Sequence, residues 1–321
     1  MMLTSIASPI AAARCALKPA YRQLAYRVLT AMGRNHTGID RSRWSQNVSI
    51  ARTQRDLRRC CRILETDAGL MLIDTPLGRF WIPQTEPDAF DGFLLMVAEE
   101  LNNHYQFEGA AYVLDCGANI GTFTRLALNR GATVVVAIEP APDMVRCLRK
   151  TFASEIAAGR VKVEERGLWN EDDTLFLRTS SYSWNNTVLK VSQDVSGVPI
   201  PLTTLDNIVT DAGLPAVDFI KMDVEGAESR ALKGAGATLR RWNPVISVAV
   251  EHTADKFKNA AAVVAVSKEF APYSEMCIKG SVMRSCSILG LRLPSSVVPE
   301  IILLRSGAGR EVGREATLPT A

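Results

Sequence analysis

The 321-residue sequence predicts an α/β protein: a mostly parallel sheet with helices on both faces, preceded by a small hairpin-and-helix segment and a basic N-terminal arm. Two observations carry this expectation. From Tyr112 onward strand and helix signals alternate, and the strands are continuous apolar runs, as strands covered on both faces must be. The first of them, Tyr112-Val113-Leu114, ends in Asp115, enters a glycine-containing turn and opens directly into a helix.

The expected strands of the main domain are Tyr112–Leu114, Thr133–Ile138, Val161–Val163, Thr174–Leu177, Asp218–Met222, Val245–Val250 and Glu300–Leu304. Helices are expected at Phe123–Asn129, Asp143–Ser154, Glu228–Arg241 and Asp255–Phe270, with Pro244 marking the end of the third. Upstream, Leu70–Ile73 and Arg79–Ile82 flank the turn Asp74-Thr75-Pro76-Leu77-Gly78, which reads as a hairpin. Phe93, Leu94, Val97, Ala98 and Leu101 then recur at helical spacing, and these elements read as a lid or brace. The chain divides into an arm (1–65), a preface (66–108), the main domain (109–305) and a small, polar tail (306–321) expected to fray.

A hydrophobic content of 47% with 22% charged residues suits one large core, or one core with an appendage. No run of 18 apolar residues occurs, and no Lys or Arg precedes the mildly apolar Met1–Ala13, which argues against a secretory leader. The seven cysteines are odd in number and lack metal-type spacing, and Cys60 and Cys61 are adjacent. Free thiols in a reducing compartment are expected, hence a cytoplasmic location. The net charge of +3 is unevenly spread: residues 1–60 hold eleven Lys or Arg against Asp40 and Asp56 alone. With an amphipathic helix over roughly 16–32, this arm fits peripheral contact with an anionic membrane surface, or a helix packed on its own domain. No aromatic-basic interleaving accompanies it, so nucleic acid is not an expected partner. No feature specifies an oligomeric state.

The segment Asp115-Cys116-Gly117-Ala118-Asn119-Ile120-Gly121 lies where open parallel sheets bind ligands, at the carboxyl edge of the strands. Gly117 and Gly121 permit tight turning and close backbone approach, and the helix start offers N–H groups to an anion. Glu139, at the end of Val134–Ile138, can accept hydrogen bonds from both ribose hydroxyls and would repel a 2′-phosphate, disfavouring NADP. Against NAD, Asn119 and Thr124 stand where the dinucleotide fingerprint wants its second and third glycines. Asn119 would crowd a pyrophosphate but leaves room for an amino-acid moiety. The pattern therefore points to S-adenosylmethionine (SAM), whose methionine carboxylate is the anion; the bland alternative is a turn whose glycines serve packing only.

A second cluster follows the strand ending at Met222. Lys221, Asp223 and Glu225 are spaced i, i+2, i+4, so an extended chain points them to one side. In the functional reading Asp223 steers or deprotonates an acceptor while Lys221 organises the charges. In the structural one Lys221–Asp223 is a plain ion pair, and Glu225 and Glu228 complement a helix dipole. A divalent ion on Asp223 and Glu225 is disfavoured, because no His lies close in sequence. His252, just past Val245–Val250, sits at the same edge and titrates in the range of a neutral-pH base, or is simply a hydrogen-bonded strand-end histidine. The loop Ser180-Ser181-Tyr182-Ser183-Trp184-Asn185-Asn186 mixes hydroxyls, amides and aromatics as a sugar-reading surface does, and as ordinary polar loops also do.

These residues resemble the FkbM family of SAM-dependent methyltransferases, which have the class I, Rossmann-like fold. The resemblance rests on Asp115–Gly121, Ile138-Glu139-Pro140, Thr204-Leu205-Asp206 and, most distinctively, the block Asp218-Phe219-Ile220-Lys221-Met222-Asp223-Val224-Glu225-Gly226-Ala227-Glu228; it covers roughly residues 110–275. It implies methylation of a hydroxyl on a sugar, glycan or secondary metabolite. It further implies cofactor contacts at Asp115, Gly117, Ala118, Asn119, Gly121 and Glu139, with the stretch Glu165–Asn170, including Leu168, leading past the adenine. Trp169 departs from the small residue usual there. The competing classes are an NAD-binding oxidoreductase and a catalytically silent scaffold recruited to membranes.

Overall fold

The computed structural model describes residues 38–84, 89–103, 105, 107–177, 198–250, 256–273, 275–278, 281–283 and 301–305. The expected helix over 16–32, the loop 180–186, His252 and the tail lie outside the described residues.

Upstream of the main domain come α1 (Gly38–Cys60), β1 (Arg62–Asp67), β2 (Leu70–Thr75), β3 (Gly78–Pro83) and α2 (Ala89–Asn102). Next are β4 (Tyr112–Cys116), α3 (Thr122–Asn129), β5 (Val134–Ile138), α4 (Pro142–Thr151), α5 (Ala153–Ala157) and β6 (Val161–Glu164). They are followed by β7 (Gly167–Leu168), β8 (Asp173–Leu177), β9 (Val198–Thr203), α6 (Leu205–Asp211), β10 (Phe219–Met222), α7 (Glu228–Lys233) and α8 (Gly236–Trp242). The last elements are β11 (Val245–Ala249), α9 (Lys256–Phe270), β12 (Glu275–Ile278), β13 (Ser281–Met283) and β14 (Ile301–Arg305).

The central sheet has eight strands in the order β13-β12-β14-β11-β10-β4-β5-β6. Strands β11, β10, β4, β5 and β6 run parallel, and β14 is antiparallel to both β11 and β12. The chain builds outward from β4 through β5 to β6, then returns to build the other way through β10 and β11. The order therefore reverses between β4 and β10, and that switch point is where such sheets open a crevice.

Register sorts the side chains onto two faces. Val113 and Asp115 pair with Phe219 and Lys221 on one face; Leu114 and Cys116 pair with Ile220 and Met222 on the other. Each face has its own core: Val113, Val135 and Phe219 on the first, Leu114, Val136, Ile220 and Ile246 on the second. The first core also takes in Phe80 and Ile82 of β3 and Phe93 and Val97 of α2. The segment expected as a lid or brace thus shares a hydrophobic core with the sheet.

Three local expectations are corrected. Thr174–Leu177 lies not in the main sheet but in a separate three-stranded one, β7-β9-β8. Its partner β9 went unexpected because Pro199 and Pro201 disfavour a central strand, yet β7 pairs only with Leu202 and Thr203, so on that side the prolines face no strand. The helix expected over Glu228–Arg241 is two helices, broken at Gly234, where a Cβ would collide with the Trp169 carbonyl. The Asp206 carboxylate caps the second of them, accepting from the Ala237 and Thr238 amides at 2.9 and 2.8 Å. The helix expected over Asp143–Ser154 starts at Pro142 and gives way to α5 after Phe152.

Because Phe93 is fully buried in a core common to preface and sheet, Phe93→Ala is expected to cost roughly 3–5 kcal/mol. Urea unfolding followed by far-UV circular dichroism should show one transition moved to lower denaturant; a separate early transition would show that the preface unfolds on its own.

Candidate cofactor and catalytic site

The turn after β4 is tied down by its own backbone. The amides of Gly117 and Ala118 both donate to the Ile138 carbonyl at 3.0 Å, and the Gly121 amide donates to Ala118 O at 2.8 Å. The Asn119 amide donates to Glu139 Oε2 at 2.9 Å. Asn119 takes a left-handed φ of 50°, a conformation that Asn tolerates better than most residues. The glycines do turn tightly as expected, and what approaches them closely is the protein itself. Gly117 and Gly121 have φ of 78° and 88°, and a Cβ on Gly117 would collide with the Asp223 carbonyl oxygen. A Cβ on Gly121 would press into Phe152 and to 2.8 Å from Leu148 Cδ2. Both glycines are demanded by the protein's own packing, before any ligand enters.

Glu139 stands at the end of β5, only 8% exposed. Its Oε2 accepts from Asn119 and its Oε1 from the Ala141 amide at 2.9 Å, so it first clamps the glycine turn to β5. An ionised carboxylate has about four lone-pair positions, which leaves acceptor capacity for hydroxyls beyond these two bonds. Burial pushes its pKa up to about 7 against the lowering pull of those amides.

Across the switch point, Lys221 lies on the same face as Asp115. Its Nζ donates to Gly117 O at 2.9 Å and lies 3.5 Å from Asp115 Oδ1 and 3.9 Å from Asp223 Oδ2. Asp115 is sealed from solvent and accepts a 2.7 Å hydrogen bond from Thr124 Oγ1; burial raises its pKa, opposed by Lys221. Burial would lower the Lys221 pKa, but Asp115, Asp223 and Glu100 outweigh it and hold the ammonium above the ordinary lysine range. Asp223 follows β10 with its side chain 39% exposed, and its amide donates to Cys116 O at 2.9 Å. Glu225 departs from the expected alternation: its φ of 53°, followed by 100° at Gly226, makes a tight left-handed turn in place of extended chain. Glu228, fully buried at the start of α7, braces that turn by accepting from the Gly226 amide at 2.9 Å.

These elements bound one open cleft of about 500 Å³, including its solvent-facing part. Of the expected site residues, Gly117, Glu139, Leu168, Asp223 and Glu225 line it, together with Pro140 and Val224. Asp115, Ala118, Asn119, Gly121 and Lys221 stand behind this lining as its support. Sequence reasoning missed Glu100, Thr124 and the bracing role of Glu228. Glu100 was detectable, because it continues the buried α2 stripe of Phe93 and Val97 with an acid. Among the described residues no three His, Cys, Asp or Glu side chains are grouped to hold a metal ion.

The family described as methyltransferase FkbM domain matches residues 115–273, a span that takes in the glycine turn, Glu139 and the Asp223 block. These residues are a methyltransferase FkbM domain. Three curated relatives accompany the match. Methyltransferase 1 of Beauveria bassiana is 27% identical, over 51% of this chain and 74% of its own length. Hexuronic acid methyltransferase AglP of Haloferax volcanii is 33% identical, over 41% and 53%. The 31-O-demethyl-FK506 methyltransferase FkbM of Streptomyces tacrolimicus is 29% identical, over 38% and 58%. The chain thus spans three quarters of the fungal relative and little more than half of the other two. The cofactor of the FkbM methyltransferase domain is SAM.

Two measurements probe this arrangement. Lys221→Met leaves Asp115 sealed in without its cation and should destabilise by about 3–5 kcal/mol in urea unfolding, whereas Asp223→Asn, at a half-exposed position, should cost under about 1 kcal/mol. Equal losses would contradict the supporting role given to Lys221. The second is pH dependence. Glu139 and Glu100 both titrate near 7 in the folded chain, above the ordinary glutamate value of about 4.3. Between those values the folded state binds more protons than the unfolded, so stability falls as pH rises through about 4.5–7. Melting temperature against pH should show that slope, and Glu139→Gln should flatten it.

Proposed function

We propose that the chain transfers the methyl group of SAM to a hydroxyl oxygen of a sugar, glycan or small secondary metabolite. The observation that carries this reading is the cleft at the β4–β10 switch point, with Glu139 on one wall and Asp223 on the other, meeting at Gly117. The residues fit the cofactor: Glu139 keeps acceptor capacity for ribose hydroxyls, and the buried Asn119 Oδ1 has no hydrogen-bond partner among the described residues. When bound, SAM supplies an electrophilic methyl carbon on a positively charged sulfur.

The protein must align an acceptor oxygen with that carbon, exclude water and remove the hydroxyl proton. Alignment supplies the larger share, with effective molarities of about 10⁵ M and above in well-oriented systems. A positioned base adds roughly 10²–10⁴-fold. Asp223 is placed for the second task, since it lines the cleft, remains partly exposed and is held beside the Lys221 ammonium. His252, following β11, is the alternative base. The named activities of the archaeal hexuronic acid methyltransferase and the FK506 methyltransferase support a sugar or small-molecule hydroxyl as acceptor.

Titration calorimetry is expected to show SAM binding and no comparable binding of NAD; the reverse would sink the reading. The acceptor is sought as a cell metabolite that gains one CH₂ in the presence of the enzyme. With it in hand, Asp223→Asn should lower kcat by roughly 10²–10⁴-fold with little change in SAM affinity, and an equal loss in His252→Ala alone would move the base to His252.

A further inference from the structure

The C-terminal half of α2 carries an acid where its packing pattern calls for an apolar residue. Phe93, Val97 and Glu100 recur at i, i+4, i+7, and the first two are fully buried in the core of the first sheet face. Glu100 Oε2 is sealed from solvent and has no hydrogen-bond partner among the described residues. The chain beyond α2 then crosses that face directly over β10. The Tyr105 ring lies 6.3 Å from that of Phe219 and 4.8 Å from that of Phe123, while Phe107 lies 5.1 Å from Phe219. Glu100 is thereby set in the same electrostatic neighbourhood as Lys221, Asp115 and Asp223.

Among the described residues one ammonium serves these three carboxyl groups, and it also acts on Glu139. In a dry site they cannot all ionise without heavy cost, so one holds a proton. Asp115 has Thr124 and Lys221 to stabilise its charge, and Asp223 has Lys221 and solvent. Glu100 has the Tyr105 hydroxyl as a hydrogen-bond partner and the attraction of Lys221, but its Oε2 has neither a hydrogen bond nor solvent, and no ammonium is paired with it as Lys221 is with Asp115 Oδ1. Among the described residues no other cation reaches it: on α1, Arg58 pairs with Asp91 at the opposite end of α2; on α3, Arg130 is engaged by the Tyr105 carbonyl and the Phe107 ring; and on β3, Arg79 pairs with Asp74. Tyr105, buried beside Glu100, is itself pushed to a high pKa by burial and by this acid.

We propose that Glu100 is a positioning residue of the methyl-donor site, acting through Lys221: it keeps its proton while the cleft holds no cation and gives it up when the sulfonium enters. The coupling runs through Lys221 Nζ, which touches both the Gly117 carbonyl and the Asp223 side chain at the cleft wall. An added positive charge stabilises the ionised form of every nearby carboxylate, and burial leaves both Glu139 and Glu100 with a proton to release near neutral pH; of the two, Glu100 is the one with a buried oxygen that no hydrogen-bond donor among the described residues reaches. Burial pushes its pKa up to about 7, which puts that release at neutral pH. This inference rests on the SAM reading above.

The test is titration calorimetry of the full chain at about pH 6.5, in two buffers of different ionisation enthalpy, with SAM and with its demethylated thioether product. Both ligands carry the ribose that meets Glu139, so the difference between them isolates the sulfonium charge. Wild type is expected to release a substantial fraction of a proton more with SAM than with the thioether, Glu100→Asp to retain that excess, and Glu100→Gln to lose it. Equal excess in wild type and Glu100→Gln overturns the proposal while leaving SAM binding intact. Should Glu100→Gln not fold, Glu139→Gln at saturating ligand decides: the excess should persist there, and its loss overturns the proposal. The affinity ratio of SAM to thioether should rise several-fold between about pH 6 and 7.5, bounded by tenfold per pH unit for each proton released; a flat ratio overturns the proposal. Binding of neither ligand overturns the SAM reading and this inference together.

Discussion

The contact between two loops at the centre of the sheet governs the rest of the site. The turn after β4 and the turn after β10 meet so closely that Gly117 has no room for a Cβ beneath the Asp223 carbonyl, and Lys221 binds the Gly117 carbonyl from below. This junction needs a lysine inside an apolar strand, which is costly unless its charge is answered. Asp115, one strand over in register, answers it through Oδ1, and Thr124 at the head of α3 hydrogen-bonds the other oxygen of that acid. The cleft is what remains above once these groups have satisfied one another.

The same economy gives the site its electrostatic sign. Carboxyl groups converge from β4, β5, the turn after β10 and α2, and among the described residues Lys221 is the one cation placed among them. Burial raises the pKa of Glu139 and Glu100 to about 7, so near neutral pH the free protein carries protons that a cationic ligand can displace. A cleft of this kind disfavours phosphates and accommodates a sulfonium. The acidic character is held in place by two braces, the Glu139 clamp on the glycine turn and the buried Glu228 on the turn at Gly226.

Much of this was legible in the residues. The apolar runs gave the parallel strands β4, β5, β6, β10 and β11 to within a residue or two at each end, because a strand covered on both faces has few ways to be anything else. The glycine turn, Glu139 and Asp223 could be put at one edge because strand polarity places every strand-to-helix turn there. Less legible were β9, whose prolines mask it, and the break at Gly234, which depends on a carbonyl from residue 169. Glu225 was read on the assumption of extended chain, and the left-handed turn took it out of line.

By itself the sequence determined which residues lie along which strand and which end of each strand bears the chemistry, since alternation and apolar content are local properties of the chain. Only the tertiary structure decided what each polar group does once there. Strand order brought Lys221 level with Asp115, and the packing of α2 on the first sheet face carried Glu100 to the same cluster across more than a hundred residues. The roles of the glycines were likewise settled by what they press against, the Asp223 carbonyl for Gly117 and the Phe152 and Leu148 side chains for Gly121. Those contacts are made between segments far apart in the chain, and burial, which sets the charge of each group, exists only when the whole sheet has closed over them.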